Sequence, residues 1–219
     1  MDSEKIVENA IKELENEFKN NQDRFFNEHA LHHVFFCKLS ELGDLVHPEY
    51  PTRKRFKKDK GDSPEYISGE HSCPPSIKGP KRGHYDFVVL KQEFYDKFKD
   101  CGNDNDPRKN KFERLSSKDF ETNLDLEGKE YLDIVIEFKY VTESFSEKNF
   151  VDYDFDIFKL KEAEEAKTKI FLVFLRKRKI GDKMYKEVIN WLEKRKEEEK
   201  DNIKMLIFTL DGDYQTSLT

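Results

Sequence analysis

The chain has 219 residues, of which 39% are charged and 36% are hydrophobic, and its formal net charge is −6. That length suits one domain with insertions. The acidic balance excludes nucleic-acid binding through overall charge, so such binding needs a local basic patch. Residues 1–5 are polar and acidic, unlike a signal peptide. The longest apolar run, residues 170–175, is far shorter than a membrane span, so no membrane partner is expected.

The cysteines indicate a reducing compartment. Cys37, Cys73 and Cys101 are odd in number and widely spaced, which favours reduced thiols and a cytoplasmic protein. His71 and Cys73 have the spacing of half a zinc site, but no second pair of ligands accompanies them in the sequence. A zinc site is therefore not the preferred interpretation.

Two helices are predicted before the first strand. Residues 1–22 form a covering helix with Ser3 as the expected N-cap and apolar residues at helical spacing, namely Ile6, Val7, Ala10, Ile11, Leu14 and Phe18. The second helix is expected over about residues 23–42 and is ended by Gly43. His29 and His33 should be exposed, and the stripe that faces the sheet consists of Glu28, His32, Phe35, Leu39 and Leu42.

Glu28 lies at the N-terminal end of that stripe, on the side predicted to be buried. A glutamate in the first turns of a helix also offsets the helix dipole, and this interpretation stays open. A purely dipolar glutamate would serve equally well on the wet side of the helix, however. The buried orientation therefore favours a further role for Glu28.

A strand and a long polar insertion follow. Residues 45–51, which include Glu49, read as a strand whose prolines confine it to an edge or an end of a sheet. In the insertion at residues 53–82, basic residues outnumber acidic ones. This charge is either a solvated face or a surface that steers phosphates. The candidate nucleic-acid-binding residues are Arg53, Lys54, Arg55, Lys57, Lys58, Lys81 and Arg82.

Two apolar strands carry the charged residues on which the functional hypothesis depends. Residues 82–90 contain Asp86 near their start, and residues 131–140 alternate so that Glu137 and Lys139 share one face. If the strands pair, Asp86 can lie about 5 Å from Glu137. Two carboxylates that close repel each other unless a cation lies between them, and hard oxygen ligands suit Mg²⁺ or Mn²⁺. Alternatively, Glu137 and Lys139 satisfy each other at an exposed strand end.

The remaining elements complete an α/β protein. Residues 91–129 form a second insertion with a short helix over about residues 91–99. A helix over about residues 154–167 carries Lys159, which is either solvated or reaches the site. A buried strand at residues 170–175 should run parallel to the 131–140 strand, before a helix at 183–200 and a strand at 205–210. The expected fold of residues 23–219 is a three-layer sandwich around a central mixed β-sheet.

An aspartate on one strand followed by acid-x-Lys on the next, here Asp86, Glu137 and Lys139, resembles the PD-(D/E)xK phosphodiesterase superfamily, the restriction-endonuclease-like nucleases. Asp156-x-x-Lys159-Leu160, on a helix before an apolar strand, extends the resemblance, which covers roughly residues 23–210. The resemblance implies a restriction-endonuclease-like fold and a Mg²⁺- or Mn²⁺-dependent endonuclease, with DNA favoured over RNA as the substrate.

The resemblance also implies roles for individual residues. Asp86, Glu137 and the carbonyl of Phe138 would hold one or two metal ions, and Glu28 would act on them directly or through water. Lys139 would orient the attacking water or neutralise the charge that develops on the phosphorane. Secondary candidates are His32, because some cap-snatching RNA endonucleases of the superfamily use a histidine there, together with Glu49 and Lys159.

The alternative function is a catalytically silent nucleic-acid-binding or assembly module with the same fold. A degenerate member usually loses an acid or the lysine, whereas the three motif residues are all present here. The Lys/Glu-rich helices could in addition support a homodimer.

Overall fold

A computed structural model of the chain describes residues 2–21, 24–57, 65–66, 81–98, 130–141, 147–176 and 181–210. The helices are α1 (Ser3–Asn20), α2 (Glu28–Lys38), α3 (Gln92–Phe98), α4 (Glu147–Lys161) and α5 (Asp182–Glu199), and a 3₁₀ segment spans Ser40–Leu45. The strands are β1 (Val46–Lys57), β2 (Glu65–Tyr66), β3 (Lys81–Leu90), β4 (Leu132–Val141), β5 (Ala166–Leu175) and β6 (Lys204–Thr209). No helix in the described part of the chain is long and apolar enough to cross a membrane.

The described strands form one six-stranded mixed sheet in the order β2-β1-β3-β4-β5-β6. β3 pairs with β1 and β4 in antiparallel fashion, whereas β5 runs parallel to β4 and β6. The parallel pairs are joined through helices α4 and α5, as parallel neighbours require a crossover. The α/β class and the mixed sheet are therefore confirmed, and the strands of Asp86 and Glu137 are neighbours.

Helices pack on both faces of the sheet. β5 is apolar on both faces from Ile170 to Leu175, whereas β4 is apolar on one face and carries Glu137 and Lys139 on the other. On one face, Phe138 contacts Phe35 of α2 and Phe174 contacts Phe18 of α1, with ring centroids 5.1 and 4.9 Å apart. On the other face, Phe171 contacts Tyr153 of α4, and α5 packs beside α4 through Trp191. The buried core lies between these helices and the sheet.

β3 and β4 separate partway along their length, and this separation positions the candidate site. Their pairing runs from Leu90–Leu132 to Phe87–Ile136, while β4 continues beside β5 as far as Val141. β3 continues in the other direction beside β1, where Tyr85 pairs with Tyr50. An open edge of β4 therefore begins next to Asp86.

The predicted bounds of three helices are wrong. Asp2 rather than Ser3 caps α1, because its carboxylate accepts a hydrogen bond from the Lys5 amide. α2 begins at Glu28 rather than near residue 23, because the Asn27 side chain caps it, and it gives way to the 3₁₀ segment before Gly43. α4 covers Glu147–Lys161 instead of residues 154–167, and β5 already begins at Ala166.

The polar segment at residues 53–82 is not one continuous connection. β1 extends to Lys57 and β3 begins at Lys81, and the two strands pair as far as Phe56 and Lys81. Charged side chains do not prevent such pairing, because backbone groups make the ladder. Between these strands, residues 58–64 and 67–80 lie outside the described part of the chain.

Candidate metal centre

The backbone of β4 positions two carboxylates along its open edge. N–H groups of alternate residues in a strand point to the same side, so Phe138 and Tyr140 both present an amide to the side that β3 has left. Asp86 Oδ2 accepts a hydrogen bond from the Phe138 amide at 2.7 Å, and Glu28 Oε2 accepts one from the Tyr140 amide at 3.0 Å. These contacts satisfy amides that would otherwise be costly to bury. They also fix Asp86 and Glu28 side by side.

Glu28, His32 and Asp86 form the candidate metal centre. Each offers one ligand atom, and these atoms all lie within 4.8 Å of one another. Glu28 and His32 are four residues apart on α2 and therefore share one face of the helix. Carboxylate oxygen and imidazole nitrogen together suit a divalent ion such as Mn²⁺ or Mg²⁺, with the imidazole favouring the softer metal.

The His32 imidazole packs against aromatic rings of β3 and β4. Its ring lies against Phe87 and Phe138, with centroids 5.4 and 5.0 Å away. His32 Nε2 is buried, has no hydrogen-bond partner among the described residues, and lies 3.7 Å from Asp86 Oδ2. That separation is too long for a hydrogen bond. A metal ion between the imidazole and the carboxylates would satisfy this nitrogen, so the residues present fit such an ion.

Burial shifts the protonation equilibria at this centre. It raises the pKa of Glu28, and the nearby Asp86 carboxylate raises it further, although Lys139 opposes the change. Burial also lowers the pKa of His32 below its ordinary value, against the opposing attraction of Asp86. His32 is therefore neutral near pH 7, the form in which imidazole binds metals. A bound cation would offset the repulsion between the two half-buried carboxylates.

Glu137 and Lys139 share a face of β4, as predicted, but each takes a partner on α4. Lys139 Nζ lies 2.8 Å from Asp156 Oδ2. Lys159 Nζ lies 2.7 Å from Glu137 Oε1 and 2.9 Å from Asp156 Oδ1. The alternative of a mutual Glu137–Lys139 pair at an exposed strand end is therefore wrong, and Glu137 is only 1% exposed.

Both lysines of this network are positively charged at neutral pH. Burial alone would lower the pKa of Lys139, but the carboxylates of Asp156 and Glu28 raise it above its ordinary value. The pKa of Lys159 is raised in the same way, by Glu137 and Asp156 against the effect of burial. Burial raises the pKa of Glu137, although Lys159 opposes this. Lys139 can thus supply positive charge beside the candidate metal centre, and it cannot serve as a base near pH 7.

The other predicted site residues lie in varied surroundings. Phe138 donates its amide to Asp86, and its carbonyl points to the same open side because both groups of a strand residue face one neighbour. Glu49 is exposed on β1, between residues that pair with Phe87 and Tyr85, and has a positive φ of 52°. Lys159 is 5% exposed, so the solvated alternative is wrong. Outside the described side chains lie Arg53, Lys54, Arg55, Lys57, Lys58, Lys81 and Arg82.

Sequence reasoning did not assign Asp156 to the site. Its half-buried carboxylate lies between Lys139 and Lys159 and contacts both. Burial acts to raise its pKa, but the two ammonium groups lower it overall. The available signal was the spacing of Asp156 and Lys159, three residues apart and hence on one face of a helix. That face could have been expected to lie over the charged face of β4.

Comparisons with protein-family models, with curated proteins and with solved structures find no match to this chain.

Proposed function

We propose that this protein is a metal-dependent nuclease that hydrolyses phosphodiester bonds, related to the PD-(D/E)xK superfamily and built on its restriction-endonuclease-like three-layer fold. The observation that carries the proposal is the convergence of Glu28, His32 and Asp86 within 4.8 Å of one another. The half-buried ammonium of Lys139 supports it, since this charge acts on both Glu28 and His32. The metal is Mg²⁺ or Mn²⁺, and the enzyme acts as an endonuclease.

The proposed mechanism divides the work between two groups of residues. Glu28, His32 and Asp86 would hold the ion, and the Phe138 carbonyl, on the same open side of β4 as Asp86, would be a further ligand. Glu137, which the motif predicts as a ligand, is paired with Lys159 instead. When bound, a divalent ion lowers the pKa of water and polarises a phosphoryl oxygen. Lys139, held in place by Asp156, neutralises negative charge on the phosphate as the attacking oxygen approaches.

Nucleic acid is the proposed substrate, with DNA favoured over RNA. The basic residues from Arg53 to Arg82 are the proposed contacts for the phosphate backbone, because they flank the strand that leads to Asp86. A homodimer would suit cleavage of both strands of a duplex.

The first test is the Asp86→Asn variant. Asn retains an oxygen that can accept the Phe138 amide, but it removes the negative charge from the candidate metal centre. We expect loss of Mn²⁺ binding in calorimetry and a fall in nucleic-acid cleavage of at least about a hundredfold, the usual scale for one electrostatic contact in the transition state. The matched control is Asp154→Asn on α4, whose carboxylate pairs with Arg195 instead. Unchanged Mn²⁺ binding and cleavage in Asp86→Asn would refute the proposal.

A catalytically silent nucleic-acid-binding or assembly module is the second candidate, and one contact favours it. Glu137 is engaged by Lys159 at 2.7 Å, so the acid of the acid-x-Lys motif is already neutralised within the protein. This candidate predicts that the purified protein binds nucleic acid equally well in Mn²⁺ and in EDTA and cleaves none. Cleavage that Asp86→Asn abolishes would exclude it.

A further inference from the structure

The ammonium of Lys159 occupies a buried cage of oxygen atoms between three elements. It lies 2.7 Å from Glu137 Oε1 on β4, 2.9 Å from Asp156 Oδ1 on α4, and 2.6 Å from the His84 carbonyl oxygen on β3. Lys159 is 5% exposed and Glu137 is 1% exposed. The cage therefore bridges β3 and β4 at the place where the two strands separate.

The oxygen set has the composition of a site for a hard divalent cation. Two carboxylates and one backbone carbonyl are ligands that Mg²⁺, Mn²⁺ and Ca²⁺ accept. The distances at Lys159, however, belong to an ammonium rather than to a coordinated small ion. Glu137 Oε1 faces the Lys159 ammonium as a buried ion pair. The cage therefore holds a lysine ammonium at ammonium distances, although its oxygen atoms are ones that a divalent cation would also accept.

Charge balance indicates why a lysine ammonium can occupy the oxygen cage. The two oxygens of the Asp156 carboxylate have different partners, since Oδ1 faces Lys159 and Oδ2 faces Lys139. Two lysines therefore balance the carboxylates of Glu137 and Asp156, and the network is neutral without any ion. Lys139 also acts on Glu28 and Asp86, but it is paired with Asp156, and the third member of the Glu28 and Asp86 cluster is His32. The excess of negative charge therefore lies at the candidate metal centre.

We propose that the oxygen cage of Glu137, Asp156 and the His84 carbonyl is a second cation site whose resident cation is the Lys159 ammonium. The protein then binds one divalent ion, at Glu28, His32 and Asp86, and Lys159 takes the place of another. This inference rests on the proposed function for the first ion. It assigns Glu137 to the lysine rather than to the metal, and it makes Lys159 a positioning residue that holds β3, β4 and α4 together.

Lys159→Ala tests the assignment, because it removes the ammonium and leaves room among the three oxygens. The number of bound ions can be measured by titrating the protein with Mn²⁺ and monitoring the free ion by electron paramagnetic resonance. We expect one bound ion for the wild type and two for Lys159→Ala. Lys159→Met, which removes the charge but fills the space, should bind one ion. The melting temperature of Lys159→Ala should be lower than that of the wild type in EDTA and should rise more on addition of Mn²⁺.

Two results would overturn the cage assignment: two ions in the wild type, or one ion in both Lys159→Ala and Lys159→Met. If Lys159→Ala does not fold, Glu137→Gln in the presence of the native lysine decides the matter. This variant should retain the single ion, whereas loss of that ion would show that Glu137 is its ligand. If the wild type binds no ion and Lys159→Ala binds one, the proposed function is refuted and the cage assignment is supported.

Discussion

Replacing Lys139 by methionine separates a catalytic role from a structural one. Methionine keeps most of the apolar stem but removes the ammonium, which lies 2.8 Å from Asp156 Oδ2. If Lys139 neutralises charge in the transition state, cleavage should fall by at least about a hundredfold, which corresponds to about 2.7 kcal/mol. Metal affinity should stay the same or improve, because the ammonium acts against a cation beside Glu28.

The same substitution should cost only moderate stability. Stranding a buried charge by removing its partner typically costs about 3–5 kcal/mol. Asp156 would not be stranded, however, because Lys159 Nζ remains 2.9 Å from its other oxygen. The expected loss is therefore that of one charged hydrogen bond, about 1.5–3 kcal/mol in the free energy of unfolding.

Lys38→Met provides the matched control. Lys38 is 14% exposed and Lys139 is 13% exposed, and Lys38 also pairs with carboxylates, those of Glu13 and Glu17. Urea denaturation in Mg²⁺ should show comparable losses of stability for the two variants, while a cleavage assay should show a large defect for Lys139→Met alone. Cleavage at the wild-type rate by a destabilised Lys139→Met protein would end the catalytic assignment of Lys139.

Two further predictions concern stability away from the charged network. Burial lowers the pKa of His47 below its ordinary 6.5, although the Asp44 carbonyl opposes this, so the unfolded chain takes up the proton more readily. The free energy of unfolding should therefore fall as the pH drops below about 6.5, and urea denaturation should show a weaker fall for His47→Gln. Asn27→Ala removes the N-cap of α2 and should cost about 1 kcal/mol in the same assay, with Asn27→Asp close to the wild type. An unaltered pH dependence in the first variant, or an unaltered midpoint in the second, would contradict the respective argument.

The pairing of the central strands could be predicted from the sequence, because few sheet arrangements are compatible with the positions of their apolar residues. The 131–140 segment is apolar on one face, so it needs neighbours and a covering layer, and the helical stretch after it requires a parallel partner. Helix ends were harder to place because single hydrogen bonds set them. Asn27 caps α2, and no periodicity in the sequence distinguishes it from the other polar residues that precede the helix.

The candidate metal centre could be predicted only in part from the sequence, because some of its contacts depend on how the elements pack. The stripe on α2 placed Glu28 and His32 towards the sheet, and strand pairing placed Asp86 beside β4. The partners of Glu137 and Lys139 depend on how α4 is rotated and shifted against β4. That rotation is fixed by packing such as Tyr153 against Phe171, which a one-dimensional pattern does not encode.

The carboxylates at the open edge of β4 can be explained by a structural role or by metal binding, and His32 distinguishes the two explanations. Asp86 and Glu28 accept the amides of Phe138 and Tyr140, so a structural role accounts for both acids without a metal. It does not account for the imidazole, because His32 Nε2 is buried 3.7 Å from Asp86 with no hydrogen-bond partner in the described part of the chain. An apolar side chain would fill that space without leaving a polar atom unsatisfied. A neutral imidazole held between two carboxylates by aromatic packing is the arrangement that a divalent ion would stabilise.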